Sequence, residues 1–295
     1  MRLISVRAPG GDDALGIVAA STWMPAAALV PGGPTSMGEL LAAGTSGLDD
    51  LRAAADPDRI AREGRPLAEA VLLAPVPHPR KVVAIGRNYR DHTAEEGVVA
   101  PTAPLIFAKW GSSVIGPDEP IRWDPTLTQA VDYEAELGVV IGRSARRVAE
   151  SDALDHVLGY TCLDDVTARD LQFGDGQWTR GKSLDTFCPM GPVLVTPDEI
   201  GDPQALAITC RVDGELVQSA STADMFFGVA AIIAHSSAAF TLEPGDVIAT
   251  GTPGGVGWFR EPRRSLADGQ VVEVEIERIG RLRNPCRVEQ LAAVS

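Results

Sequence analysis

The sequence predicts an α+β protein in two parts: a small α/β unit at residues 1–74 and a larger, strand-rich domain at residues 75–295. Three observations carry this reading. Strand-like segments outnumber helical ones, and no regular alternation of strand and helix marks βαβ units. The stretch Ala74-Pro-Val-Pro-His-Pro can form neither helix nor central strand and separates two textures of sequence. No internal repeat or low-complexity segment is present.

In the first unit, Leu3-Ile-Ser-Val and Ala14-Leu-Gly-Ile-Val are expected to pair as a hairpin, with Pro9-Gly-Gly-Asp-Asp as its turn. Ser36-Met-Gly-Glu-Leu-Leu and Gly47-Leu-Asp-Asp-Leu-Arg-Ala-Ala are expected as two short helices, each opened by a cap region. The unit holds no His, no Cys and no convergent polar cluster, so it reads as structural. Beyond the prolines, Lys81-Val-Val-Ala-Ile is a strand that turns through Gly86-Arg-Asn-Tyr into a helix from about Tyr89 to Glu96. Leu105-Ile-Phe-Ala-Lys-Trp and Val157 to Leu163 are further strands. Ile208-Thr-Cys-Arg-Val-Asp-Gly-Glu-Leu-Val is a hairpin with Asp-Gly at its tip. Ala223 to Phe240 is apolar at helical spacing and is expected as the one long helix. Asp246-Val-Ile-Ala-Thr and the alternating Val271-Val-Glu-Val-Glu-Ile-Glu complete the strands.

Composition bounds the function. At 45% hydrophobic and 22% charged, the 295 residues suit a folded core rather than a disordered chain. A net charge of −14 with no basic stripe argues against a nucleic-acid surface. An anionic substrate would need local positive charge at its site, which a metal would supply. Cys162, Cys188, Cys210 and Cys286 show no CxxC spacing and are expected as isolated, buried thiols in a reducing compartment. The first residues lack the apolar region of a signal peptide, and no stretch reaches the ~18–20 apolar residues of a membrane span. A cytoplasmic protein without a membrane partner is expected.

The stretch Val131 to Gly142, VDYEAELGVVIG, carries the most chemistry. Read as one strand, it points Asp132, Glu134 and Glu136 to one face and an apolar set to the other. Three like charges a few ångströms apart repel, so the face needs open solvent or a bound cation. A solvated sheet edge would answer the first need. Asp164 and Asp165, which end the strand from Val157, favour the second. If strand and turn meet, Glu134, Glu136 and one of those aspartates make an all-oxygen pocket. Such donors suit magnesium, manganese or calcium rather than zinc.

Three further groups each have two readings. His92 and Glu95, at i and i+3, share a helix face and can hydrogen-bond, as an oriented general base or as a surface pair. Lys182, in Gly181-Lys-Ser, either anchors a substrate carboxylate or is a solvated lysine. Thr250-Gly-Thr-Pro-Gly-Gly-Val-Gly follows a strand and either approaches a ligand closely or makes a tight turn. It lacks the lysine and following helix of a Walker A loop. No GxSxG pattern exists, so a serine hydrolase is not expected.

Together these pieces resemble the fumarylacetoacetate hydrolase family, specifically its shorter bacterial and mitochondrial-type members. The matching run is Ile85-Gly-Arg-Asn-Tyr with His92 and Glu95, then Tyr133-Glu-Ala-Glu-Leu-Gly, then Asp165-Val-Thr-Ala-Arg-Asp-Leu-Gln. It continues with Arg180-Gly-Lys-Ser-Leu-Asp-Thr-Phe-Cys-Pro-Met-Gly-Pro, Leu242-Glu-Pro-Gly-Asp and Thr250-Gly-Thr-Pro-Gly-Gly-Val-Gly. In order, it covers about Pro75 to Arg287.

The resemblance implies a catalytic domain built as a mixed β-roll, in a homodimer. It implies magnesium or manganese at Glu134, Glu136 and Asp165, and His92, paired with Glu95, as base on a helix that orders over substrate. Lys182 joins them as a catalytic residue, and Arg87, Gln172 and Thr252 line the substrate site. Asp164 departs from the family pattern, which more often has asparagine there. The expected substrate is a small 2-oxo acid. The expected reaction is hydrolysis of a carbon–carbon bond in a 2,4-dioxo acid, acylpyruvate-like or a diketo-deoxy sugar acid, through an enolate. The alternative is an oxaloacetate decarboxylase, or a tautomerase or isomerase of 2-oxo-dienoic acids, using the same metal site. A non-catalytic relative would usually lack a ligand or the base, and none is missing here.

Overall fold

The computed structural model describes residues 1–7 and 13–289. Its centre is the strand Ala135–Ile141, buried at every position. Val157–Asp164 pairs with it antiparallel on one side and Val247–Ala249 on the other. A strand covered on both faces reads as a continuous apolar run rather than an alternation, which is how Leu137-Gly-Val-Val-Ile reads. Leu137, Val139 and Ile141 enter one apolar cluster and Val140 the other, so this strand lies between two cores. Each such side chain contributes about 1.5–3 kcal/mol of burial. The solvated-edge reading of the acidic stretch is therefore excluded.

Among the described residues the main sheet has twelve strands. From the centre it runs one way through Val247–Ala249, Val82–Gly86 and Leu105–Lys109. The other way it runs through Val157–Asp164, Cys188–Val195, Arg2–Arg7, Asp13–Ala19 and Thr22–Pro25. Most pairs are antiparallel, but Val247–Ala249 and Val82–Gly86 run parallel, so the sheet is mixed. A five-stranded sheet that includes Ala207–Val212, Glu215–Ser221 and Val271–Ile276 supplies Ile208, Val212, Val272 and Val274 to one core. The N-terminal helix Met37–Ala54 supplies Leu40 and Leu51 to the other. This is the mixed α+β architecture expected.

The strands of the first 74 residues continue the same sheet, with Leu3 opposite Leu194 of Cys188–Val195. The expected hairpin forms, with Leu3 opposite Ile17; of its expected turn, Asp13 opens the second strand opposite Arg7 and residues 9–12 lie outside the described set. The two short helices appear as one element, Met37–Ala54, broken at Gly44, where φ is 64°. Ser36 caps it by accepting from the Glu39 N–H.

Two expectations need correction. The helix expected over Ala223 to Phe240 as the one long helix spans only Val229–Ala239 and is shorter than Met37–Ala54. Ser221 and Asp224 close a capping box around a separate turn at Thr222–Asp224, and Asn88 holds the next residues through Phe226 and Phe227. The interior strand Cys188–Val195 was not anticipated, because Pro189 and Pro192 argue against a central strand. A register shift between Tyr160 and Cys162 of its neighbour accommodates Pro192, and Pro189 lies past the last pair of that ladder, opposite Ile115 of a short parallel strand.

Candidate active site

The acidic stretch is not one strand. Val131–Asp132 pairs with Thr167–Ala168 in a two-stranded ladder, and the backbone breaks at Tyr133 and Glu134 before Ala135–Ile141 begins. Strict alternation therefore fails at the break, and Asp132 leaves the face it was expected to share. It accepts from the backbone N–H groups of Gly257 at 2.8 Å and Trp258 at 3.0 Å, and from Arg169 Nε at 2.9 Å. The Asp165 N–H donates to the Glu134 carbonyl at 2.9 Å, which brings the strand-end aspartates against the break. Glu134, Glu136 and Asp165 are all buried, and one carboxylate oxygen from each lies within 4.8 Å of the others.

Three buried cations answer these charges. Lys182 Nζ lies 2.6 Å from Glu134 and 2.8 Å from Asp165. Lys109 Nζ lies 2.7 Å from Asp165 and also donates to the Lys182 carbonyl. Arg169 pairs with Asp132 at 2.9 Å and with Glu134 at 2.7 Å, and reaches Gln172 at 3.1 Å. Burial pushes the Glu134 carboxyl up, but Lys182 and Arg169 outweigh it and hold the group at about 2. Burial likewise pulls Lys182 down, while Asp165 and Glu134 keep it charged, above an ordinary lysine.

Glu136 differs. Among the described residues it makes no ion pair, and its carboxylate accepts only the Gly251 N–H, at 2.8 Å. Burial first, then the charges of Asp165 and Glu134, raise its carboxyl well above the usual range. One further positive charge is what this constellation lacks. The all-oxygen donor set and the uncompensated Glu136 therefore fit a hard divalent cation held by Glu134, Glu136 and Asp165. Asp164 faces elsewhere: Oδ1 accepts the Glu134 N–H at 2.8 Å, Oδ2 has no hydrogen-bond partner among the described residues, and burial pushes the carboxyl up to about 7.

Arg87, His92, Glu134, Glu136, Gln172, Lys182 and Thr252 line one narrow pocket of about 20 Å³. Lys182 is buried, so the solvated-lysine reading is excluded. The expected His92–Glu95 hydrogen bond is not made. His92 Nδ1 is 3.7 Å from Glu95, while Nε2 is 3.6 Å from Glu96, so the imidazole lies between two carboxylates. Glu95 accepts the Gly255 N–H at 2.7 Å, tying the helix Arg90–Glu96 to the glycine loop. Glu96 pairs with Arg87 Nε at 2.6 Å, and the Arg87 guanidinium stacks over Trp178 at 5.5 Å.

Sequence reasoning missed Glu96, Lys109, Arg169 and Trp178. Glu96 was open to it, since i+4 is as good a helical spacing as i+3. Lys109 carried a weaker signal, a lysine closing an otherwise apolar strand. The ion pairs of Arg169 could be found only in three dimensions.

Comparison with known proteins places the chain in a family. The family model described as fumarylacetoacetate (FAA) hydrolase C-terminal matches residues 81–287. The chain belongs to the fumarylacetoacetate hydrolase family. Within it, the chain is 47% identical over 257 residues to a mitochondrial oxaloacetate tautomerase of Xenopus laevis, covering 86% of this chain and 79% of the relative. A mitochondrial oxaloacetate tautomerase of Homo sapiens is 49% identical over 218 residues, covering 73% and 69% respectively. Among solved structures, the fumarylacetoacetate hydrolase of Exiguobacterium antarcticum superposes with a TM-score of 0.84 at 39% identity, covering 98% of this chain and 100% of that one. The 2-hydroxyhepta-2,4-diene-1,7-dioate isomerase of Mycobacterium marinum gives 0.75 at 36%, covering 99% and 100%. The named vertebrate relatives are mitochondrial, so the comparisons do not support the expected cytoplasmic location. No helix among the described residues is long and apolar enough to cross a membrane.

Proposed function

We propose that this protein is a cation-assisted keto–enol tautomerase of a short 2-oxo dicarboxylic acid of the oxaloacetate kind. The observation that carries the proposal is the position of His92. It is buried in the pocket lined by Glu134, Glu136 and Lys182, with its two ring nitrogens facing different carboxylates and hydrogen-bonded to neither. Tautomerisation asks for one group that takes a proton at one atom and returns it at another. From keto to enol, the C3–H bond breaks, its electrons form the C2–C3 double bond, and the 2-oxo oxygen gains a proton. His92 is assigned that transfer, with Glu95 and Glu96 setting the imidazole's position.

Lys182, Gln172 and Thr252 are assigned to the 2-oxo acid end of the substrate, and Arg87 to its second carboxylate. A divalent cation at Glu134, Glu136 and Asp165, magnesium or manganese by donor type, would supply Lewis-acid withdrawal of charge from the 2-oxo group. The pocket's 20 Å³ is room for about one water, so admitting a four-carbon acid requires its lining side chains to move. The relatives named as oxaloacetate tautomerases support this substrate, and the isomerase neighbour supports the same proton-transfer chemistry. Carbon–carbon hydrolysis, the first expectation from sequence, ranks second because the named mitochondrial relatives are oxaloacetate tautomerases. A homodimer is part of the proposal, and light scattering should then give twice the mass of one chain.

The test follows the ultraviolet absorbance of enol oxaloacetate diluted from aprotic solvent into buffer with protein and magnesium. The enol should decay faster with the wild type, and chelation should abolish the acceleration. His92→Asn should slow the reaction by about 10²–10⁴-fold. Release of pyruvate from acylpyruvates with no effect on the oxaloacetate enol would replace this reading with the hydrolase.

A further inference from the structure

The five-stranded sheet sends one polar side chain to the active site. Gln218, on Glu215–Ser221, is 2% exposed and uses its whole amide. Oε1 accepts from the Ala135 N–H at 3.0 Å, while Nε2 donates to the Pro253 carbonyl at 2.8 Å and to Thr252 Oγ1 at 2.8 Å. Neighbouring groups dictate this orientation. A backbone N–H can only donate and a backbone carbonyl can only accept, so Oε1 must face Ala135 and Nε2 must face Pro253.

The consequence falls on Thr252. Its hydroxyl has one hydrogen and two lone pairs, and Gln218 donates to the oxygen. The hydroxyl hydrogen is thereby left for another acceptor, and Thr252 lines the pocket. A carboxylate only accepts, so a hydroxyl committed to donating suits it better than one free to turn.

We propose that Gln218 is a positioning residue that makes Thr252 an obligate hydrogen-bond donor to the carboxylate of the bound 2-oxo acid. The inference rests on reading the pocket as a 2-oxo acid site. The same amide also ties Ala135, between Glu134 and Glu136, to the glycine loop, so loop and acidic segment move together.

Oxalate, two adjoining carboxylates that cannot tautomerise, is the probe. Its binding is measured by titration calorimetry in magnesium for the wild type, Gln218→Met, Thr252→Val and the double variant. Each single variant should bind about 10- to 100-fold more weakly, and the double variant no more weakly than Thr252→Val. Thr252→Ser, which keeps the hydroxyl, should restore the binding lost in Thr252→Val. Losses that multiply in the double variant would show Gln218 acting independently of Thr252 and overturn the proposal. So would Thr252→Val binding oxalate as tightly as the wild type, a result that does not require Gln218→Met to fold. Failure of the wild type to bind oxalate would overturn the acid-site reading itself, and this role with it.

Discussion

At Arg169 one buried guanidinium serves two carboxylates, Asp132 and Glu134, and reaches the Gln172 side chain. Removing one partner of a buried pair leaves the others desolvated and uncompensated, which costs far more than the pair contributes. Arg169→Met should lower stability by about 3–5 kcal/mol in urea denaturation; a loss below about 1 kcal/mol would mean that water reaches both carboxylates. Glu136 poses the opposite problem, a buried carboxyl that makes no ion pair among the described residues. Glu136→Gln should weaken magnesium binding at least tenfold by calorimetry, and unchanged affinity would remove Glu136 from the cation site. The cysteines are inert for a simpler reason. Burial pushes Cys162, Cys188 and Cys286 from the ordinary 9.0 up to about 12. Each folded thiol keeps a proton that the unfolded chain loses, so its contribution to stability is full below pH 9 and is lost as pH climbs toward 12. Native protein at pH 8 should resist thiol labelling and react once unfolded; rapid native labelling would mean that the core opens.

Among the elements, the break at Tyr133 and Glu134 decides the site. A period of two placed Asp132, Glu134 and Glu136 together, and it correctly marked the stretch as one that cannot tolerate its own charge. It could not show that Thr167–Ala168 captures Asp132 in a ladder of its own. The glycine loop had two readings, close approach to a ligand or a tight turn, and at Gly255 the structure shows the reason for the turn. There φ is 102°, an added Cβ would strike the Val217 carbonyl, and the N–H holds Glu95. Gly255→Ala should destabilise the protein by about 1–3 kcal/mol in thermal denaturation and slow turnover by releasing Glu95. Full activity at wild-type stability would show that the loop relaxes without cost. On the helix Arg90–Glu96, the i+3 rule found Glu95, the i+4 rule would have found Glu96, and the packed helix showed which ring nitrogen each carboxylate faces.

Over the whole molecule, the strands of residues 1–74 share a sheet and a core with the rest. Leu3, Leu15, Leu40 and Leu51 pack in one cluster with Val82, Val140 and Leu194. Deleting this segment would strip one edge from Cys188–Val195 and open that core to water. Residues 75–295 alone should therefore aggregate on expression, as size-exclusion chromatography would show. A soluble, active product would show the first segment to be dispensable.

The sequence by itself determined the α+β class and the family and pointed to the cluster of Glu134, Glu136 and Asp165, because those depend on residue type, local period and motif order. Tertiary structure decided which carboxylate makes no ion pair, which side of His92 each glutamate occupies, and which end of the Gln218 amide reaches Thr252. Those are matters of pairing between residues distant in the chain, such as Asp132 with Arg169, Lys109 with Asp165 and Gln218 with Thr252. Local sequence carries no record of such pairs, since the charge and hydrogen-bond balance of a buried site is settled only when separate strands close around it.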